Sequence, residues 1–165
     1  MVFEKMVLGG FETHLYSLCR GLQMRGHEVA LYGLIISEEW RERLEQAGLP
    51  AVTDVGRKGF DVIHAHPWTW GIMRGVELSL KSATPLVVTY HGPIAVALDV
   101  VRRYAAEIIS VSPEVQRIVG QGTVIENGID LERFRPRTPK LSKERFAVLY
   151  LGRLDRQRWP AIQSL

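Results

Sequence analysis

The chain has a single cysteine, no long hydrophobic run and no recognisable targeting segment at its amino terminus. Cys19 is the single cysteine among 165 residues, and one cysteine excludes a disulfide framework and a cysteine-based metal site. No run approaches the roughly 20 apolar residues that cross a bilayer, and no charged region is followed by an apolar stretch and a cleavage site. We therefore expect a protein of a reducing compartment, the cytoplasm.

The chain also lacks a strong excess of positive or negative charge. The chain has 21 basic and 18 acidic residues, a net charge of +3. This mild excess suits anionic ligands but does not indicate nucleic acid as a partner, and solvated surface charge explains it as well. With 46% hydrophobic and 24% charged residues, the composition predicts a soluble globular domain with a core of ordinary size.

Strand and helix signals alternate along the chain. A first strand within residues 1–8 is short or truncated, and Ser37 and Ser112 are placed to cap helices. The other predicted strands cover 29–34, 51–53, 60–66, 86–88 and 108–111, and the predicted helices cover 11–25, 38–48, 70–81, 94–106 and a segment that begins at Pro113. The alternation predicts an α/β fold, a Rossmann-like parallel sheet with helices on both faces.

The predicted strands end, one after another, in polar side chains suited to contacting a ligand. Since the carboxyl ends of parallel strands line one crevice, these residues predict a site as well as a fold. The strand-end residues are His64 and His66, Thr89 and His91, Ser110 and Ser112, and Glu126 and Asn127.

Three of these residues are histidines. His64 and His66 lie two apart on one strand and share a face, and His91 ends a nearby strand. Such a trio could hold zinc, but no carboxylate is spaced to complete the site, so we expect hydrogen bonding to a ligand and no metal. His14 and His27 receive only structural or surface roles.

Gly9 and Gly10 directly precede a predicted helix, where backbone amides can approach an anion, although a tight turn is the plainer interpretation. Glu12 is either a charge that complements the helix dipole or a ligand contact. Ser112 lacks the glycine-flanked elbow of a hydrolase nucleophile, so helix capping comes first and ligand contact second. Three aromatic residues could stack on a sugar, approach a lipid surface or simply pack: Trp68, Trp70 and Tyr90.

The organisation changes after Asn127, where basic residues and prolines accumulate. We predict a first domain over 1–130, a basic interdomain linker over 131–146, and over 147–165 the beginning of a second domain that has been cut off. The linker leaves open a peripheral contact with an anionic membrane.

Several segments follow one another in a specific order. Together they resemble the retaining glycosyltransferases of family four, which implies a GT-B architecture of two Rossmann-like domains facing across a cleft. This chain is then the acceptor-side domain with the crossing into the nucleotide-sugar-binding domain. The segments are Gly9-Gly10-Phe11-Glu12-Thr13-His14-Leu15, Arg25-Gly26-His27-Glu28-Val29, residues 60–66, Thr89-Tyr90-His91-Gly92, Val111-Ser112, Asn127-Gly128-Ile129-Asp130 with Phe134 and Pro136, and Leu151-Gly152-Arg153-Leu154.

The resemblance implies a hexosyltransferase of carbohydrate biosynthesis that takes a nucleotide sugar and needs no metal. Gly9 and Gly10 would approach the donor diphosphate and sugar, and His91 would contact the transferred sugar. Arg153 would neutralise the leaving diphosphate, with Arg158 where the family has a lysine. The residues left to line the cleft or contact the acceptor are Glu12, His64, His66, Ser112 and Asn127.

The family's paired-glutamate motif would lie beyond Leu165, so we expect this polypeptide alone to be inactive and its exposed crevice to favour self-association. Its partners would be a nucleotide-sugar donor and an unknown acceptor. An alternative is a non-catalytic carbohydrate- or anion-binding module of the same fold. A dinucleotide-binding oxidoreductase is disfavoured because no Gly-x-Gly-x-x-Gly follows a strand.

Overall fold

The computed structural model describes residues 1–7, 9–52, 55, 59–66 and 68–135. The chain divides into two units, Met1–Leu131 and a second that begins at Glu132, and the first carries the fold described below. The predicted beginning of a second domain over 147–165, which includes Arg153 and Arg158, lies outside the described residues.

Within the described residues, seven parallel strands form one sheet in the order β3-β2-β1-β4-β5-β6-β7. β1 lies near the middle of the sheet, and the chain progresses outward from it first in one direction and then in the other. The strands are β1 (Val2–Met6), β2 (Leu31–Ile36), β3 (Ala51–Val52), β4 (Ile63–Ala65), β5 (Leu86–Tyr90), β6 (Glu107–Ser110) and β7 (Thr123–Val124).

Helices cover both faces of this sheet. Val2 and Phe3, neighbours on β1, point to opposite faces and belong to separate apolar clusters. The cluster around Val2 includes residues of α3, α4 and α5, and the cluster around Phe3 includes residues of α1 and α2. The helices are α1 (Gly10–Met24), α2 (Glu38–Gln46), α3 (Thr69–Ser82), α4 (Leu98–Tyr104) and α5 (Pro113–Val119). The predicted Rossmann-like α/β fold is confirmed.

Two further observations concern the single cysteine and the length of the apolar helices. Cys19 is buried against the Phe3 cluster, and burial raises the pKa of its thiol to about 11, so the thiol is poorly reactive. Of the helices that the structure describes, none is long and apolar enough to cross a membrane.

The strand predicted over 60–66 is shorter in the structure. Only Ile63–Ala65 pairs with β5, beginning with Ile63 opposite Leu86. The N–H of Ile63 donates to the carbonyl of Pro85, and Pro85 has no N–H to return to the residues before Ile63. The length of β4 is therefore limited by its neighbour and not by its own sequence.

The helix predicted over 94–106 is wrong in its first half, because α4 begins only at Leu98. Ala97 lies in the left-handed region with φ of 52°, and the hydroxyl of Tyr90 donates to the carbonyl of Val96 at 2.8 Å. This tertiary hydrogen bond holds the segment after β5 as a loop.

The two predicted serine caps differ. Ser112 caps α5 as expected, since its Oγ accepts the N–H of Val115 at 3.2 Å. Ser37 occupies the same position before α2, but its Oγ makes no capping bond and is buried without a partner among the described residues. The prediction of a side-chain cap at Ser37 is therefore wrong.

Candidate functional site

The candidate site lies at the carboxyl edge of the sheet, where the strand order reverses. β1 pairs with β2 on one side and with β4 on the other, so the helices that follow these strands diverge at this point. Parallel sheets bind ligands in the crevice that this divergence opens. β4, β5 and the start of α1 all reach it.

Four histidines meet there. Ring centroids lie 4.3 Å apart for His64 and His66, 5.4 Å for His66 and His91, and 4.9 Å for His14 and His91. The structure therefore brings together the three strand histidines singled out from the sequence. We call His14, His64, His66 and His91 the histidine cluster.

His14 is the member that sequence reasoning missed. It lies on α1 three residues after Phe11, whose ring is 5.5 Å from that of His66 and 5.2 Å from that of His91. Residues three apart share one face of a helix. The spacing of Phe11 and His14 was therefore a signal that both side chains face the sheet.

Hydrogen bonds pair the members across neighbouring strands. His64 Nε2 lies 2.7 Å from Thr89 Oγ1, and His66 Nδ1 lies 3.1 Å from His91 Nε2. The second nitrogen of each ring in the latter pair, His66 Nε2 and His91 Nδ1, is buried without a partner among the described residues. Leaving a polar atom buried and unpaired costs about 1–3 kcal/mol, so each such atom calls for an explanation.

The cluster is neutral at physiological pH. Burial, with smaller repulsion from neighbouring charged groups, lowers the pKa of His64 to about 4, and burial together with repulsion from His14 and His64 lowers the pKa of His91 to about 3. Burial foremost, followed by repulsion from the other histidines, puts the pKa of His66 well below its usual value, and burial also lowers the pKa of His14. Each ring therefore has one N–H and one lone pair.

A metal site is not evident in the part of the chain that the structure describes, where no group of three or more histidine, cysteine or acidic side chains is arranged to hold an ion. The rings of the cluster instead pack against one another, and the Nδ1 of His66 bonds the Nε2 of His91.

Gly10, the first residue of α1, borders open space. A Cβ added there would meet nothing within 4 Å among its neighbours. Gly9 is the N-cap with φ of 163°, an extended conformation that any residue adopts. The first N–H groups of a helix lack intrahelical partners and are satisfied by caps, water or ligands. Packing does not explain a glycine at position 10, whereas a ligand approaching the backbone would.

Glu12 supports this loop from within. Its side chain is 6% exposed, and Oε1 accepts the N–H of Val7 at 3.3 Å. The carboxylate thereby links the end of β1 to the first turn of α1, across the residues that include Gly9 and Gly10.

Ser112 and Asn127 follow strands at the same edge of the sheet as the cluster. Ser112 follows β6, the neighbour of β5, and so lies about one strand spacing, roughly 5 Å, from the strand that leads to His91. Asn127 follows β7, which is three places from β4, or about 14 Å. Ser112 is half-buried at its cap, and Asn127 is exposed. Asn127 therefore lies away from the cluster, whereas Ser112 is beside the strand that carries His91.

The aromatic residues considered for stacking have different surroundings. Tyr90 is fully buried in the core and is unavailable to a ligand. Trp70 packs on Tyr32 with ring centroids 5.8 Å apart. Trp68 is 44% exposed, with the Lys5 ammonium 5.1 Å from its ring centroid, and its φ of 87° is strained for a residue with a side chain. Only Trp68 remains a candidate for stacking.

A cavity of about 520 Å³ is lined by residues of α1 and by residues 128–130. His14 is the member of the cluster that lines it. Ser17, Leu18 and Gly21 of α1 contribute to its lining. The cavity therefore gives the histidine cluster an adjoining space of ligand size.

Comparison with known proteins identifies one family. The sequence model of Glycosyltransferase Family 4 matches residues 47–133, which include β4, β5 and the three strand histidines. No curated protein and no solved structure gives a match. Because the matched segment covers more than half of the 165 residues, the chain belongs to Glycosyltransferase Family 4.

Proposed function

We propose that the chain takes part in transfer of a hexosyl group from a nucleotide-sugar donor to an acceptor, with retention of configuration at the anomeric carbon. The observation that carries the proposal is the His66–His91 pair, which holds two buried and unpartnered ring nitrogens close to an open glycine loop.

The histidine pair suits a sugar. One N–H is used in the bond between the two rings, so the two neutral histidines retain one N–H and one lone pair on the two unpaired nitrogens. A hydroxyl group both donates and accepts, and a sugar offers several in fixed directions. A sugar hydroxyl could therefore satisfy the unpaired nitrogen of His91, which an apolar ligand could not.

The start of α1 suits the donor diphosphate. The positive end of the helix dipole and the free N–H groups of a first turn stabilise anions. The open space at Gly10 supports close approach of a phosphate to the backbone. Glu12, bonded to the N–H of Val7, would hold this loop in shape and would not contact the donor.

The proposed reaction uses these groups as follows. The bond between the anomeric carbon and the diphosphate oxygen breaks while the acceptor oxygen bonds to the same face of that carbon, and the acceptor proton passes to the departing diphosphate. Negative charge grows on the leaving group, where helix amides stabilise it most in the transition state. Arg153 and Arg158 are proposed to add positive charge there.

The test is a nucleotide-sugar assay on the complete product of the gene that encodes this chain. A panel of UDP-, GDP- and ADP-hexoses is incubated with the protein and with a mixed set of acceptors, and both donor consumption and sugar transfer are measured. We expect consumption of one donor class and a loss of at least about 100-fold in kcat/KM for His91→Ala, the scale seen when one stabilising group is removed.

His27→Ala is the matched control, because His27 is exposed and lies outside the cluster. Full activity in His91→Ala would contradict the proposed role of the cluster. Sugar binding without consumption of any donor would instead favour the non-catalytic carbohydrate-binding module.

A further inference from the structure

The inference here rests on the proposed function and concerns a residue that does not touch the substrate. His66 is fully buried, so it cannot itself reach a ligand in the crevice. Its Nδ1 is nevertheless within hydrogen-bond distance of His91 Nε2, at 3.1 Å. We propose that His66 is a positioning residue that donates from Nδ1 to His91 and thereby fixes His91 as the Nδ1–H tautomer.

The packing around His66 leaves its ring little freedom. His64 lies on one side with a ring separation of 4.3 Å, and Phe11 lies 5.5 Å away on α1. His64 is itself held by Thr89 at 2.7 Å. A ring that is confined in this way presents its Nδ1 in one direction, toward the end of β5 where His91 lies.

Two arrangements of protons satisfy the bond between the rings. If His91 donated, the unpaired N–H would lie on Nε2 of His66, in the interior. If His66 donates, the unpaired N–H lies on Nδ1 of His91, which is also buried but belongs to a residue that is partly exposed. A buried N–H without a partner is costly, and only the one on His91 belongs to a residue that a ligand can contact. The second arrangement is therefore the one that a bound ligand can complete.

The consequence is a donor prepared before the substrate arrives. His91 in this tautomer has an N–H for an oxygen of the sugar, and no change of proton position is needed on binding. Mutating the group that orients a metal-binding histidine costs about 10–100-fold in affinity or activity, and we expect a loss of the same size here.

The experiment compares His66→Asn with His66→Gln in protein labelled with ¹⁵N-histidine. The asparagine amide lies where Nδ1 was and can still donate to His91, whereas the glutamine amide reaches only the position of Nε2. Long-range ¹H–¹⁵N spectra without any ligand give the tautomer of His91 directly. We expect the Nδ1–H form in the parent and in His66→Asn, and a mixture of tautomers in His66→Gln.

Turnover is then measured with the donor that the parent consumes. We expect His66→Asn to stay within about threefold of the parent and His66→Gln to lose about 10–100-fold in kcat. An unchanged His91 tautomer in His66→Gln, or the Nε2–H form in the parent, would overturn the positioning role. A changed tautomer with undiminished turnover would leave the positioning intact and contradict the proposed function of His91.

Discussion

Acid should destabilise this protein through its histidine cluster. The native pKa of His64 is about 4 and that of His91 about 3, both below the ordinary value of 6.5. Between these values and 6.5 the unfolded chain binds more protons than the native one, so stability falls as the pH falls. The loss begins near pH 6.5 and continues to about pH 4 for His64 and about pH 3 for His91.

The magnitude at pH 5.0 follows from the ordinary pKa. One pKa unit corresponds to about 1.4 kcal/mol, and pH 5.0 lies 1.5 units below 6.5 while both native histidines stay neutral, so each costs about 2 kcal/mol. His66 acts in the same direction. A loss of about 4 kcal/mol or more is a large part of the roughly 5–15 kcal/mol that stabilises most domains.

The assay is urea unfolding at pH 7.5 and pH 5.0 for the parent, His64→Gln and His27→Gln. The glutamine at position 64 can keep the hydrogen bond to Thr89 but does not titrate, so the pH-dependent loss should shrink by about 2 kcal/mol. His27→Gln should match the parent, because His27 is exposed outside the cluster. Equal unfolding free energies of the parent at the two pH values would show that the buried histidines do not make stability depend on pH. A pH-dependent loss in His64→Gln as large as in the parent would show that His64 does not contribute to it.

Four further substitutions separate structure from ligand binding. Ser112→Ala should cost about 1 kcal/mol of unfolding free energy, measured by urea denaturation, because it removes the cap of α5. Gly122→Ala should cost more than Gly128→Ala in the same assay, since a Cβ at Gly122 would lie 2.2 Å from the carbonyl oxygen of Ile108 whereas one at Gly128 meets nothing within 4 Å; equal losses would contradict this packing. Gly10→Ala should leave the unfolding free energy unchanged or higher yet weaken nucleotide-diphosphate binding in calorimetry, and unchanged binding would show that the loop is not the phosphate site.

The sheet and the strand histidines could be predicted because both depend on local alternation. Apolar runs such as Leu86 to Val88 indicate buried strands, and the spacing of His64 and His66 puts them on one face whatever surrounds them. Since parallel strands end at one edge, the approach of His91 to this pair also followed from the fold class.

The features that could not be predicted depend on particular contacts and local geometry that a periodic pattern does not specify. α4 begins late because Tyr90 donates to Val96, and β4 is short because Pro85 lacks an N–H. The place of His14 depends on how α1 lies across the sheet, and the missing cap at Ser37 depends on local geometry that spacing alone does not fix. A sequence pattern predicts which face of a helix or strand is buried, but not which residues pack against that face.

The most direct test of the central claim is to observe His91 while a donor binds. ¹⁵N-histidine spectra of the protein would be recorded during titration with the nucleotide sugar that the complete gene product consumes, and again with the corresponding nucleoside diphosphate, which lacks the sugar. If His91 contacts the transferred sugar, its Nδ1 resonance should shift with the nucleotide sugar and much less with the diphosphate, while the resonances of His27 stay unchanged. Saturation of the protein by the nucleotide sugar without any shift at His91 would contradict the proposed contact between His91 and the sugar.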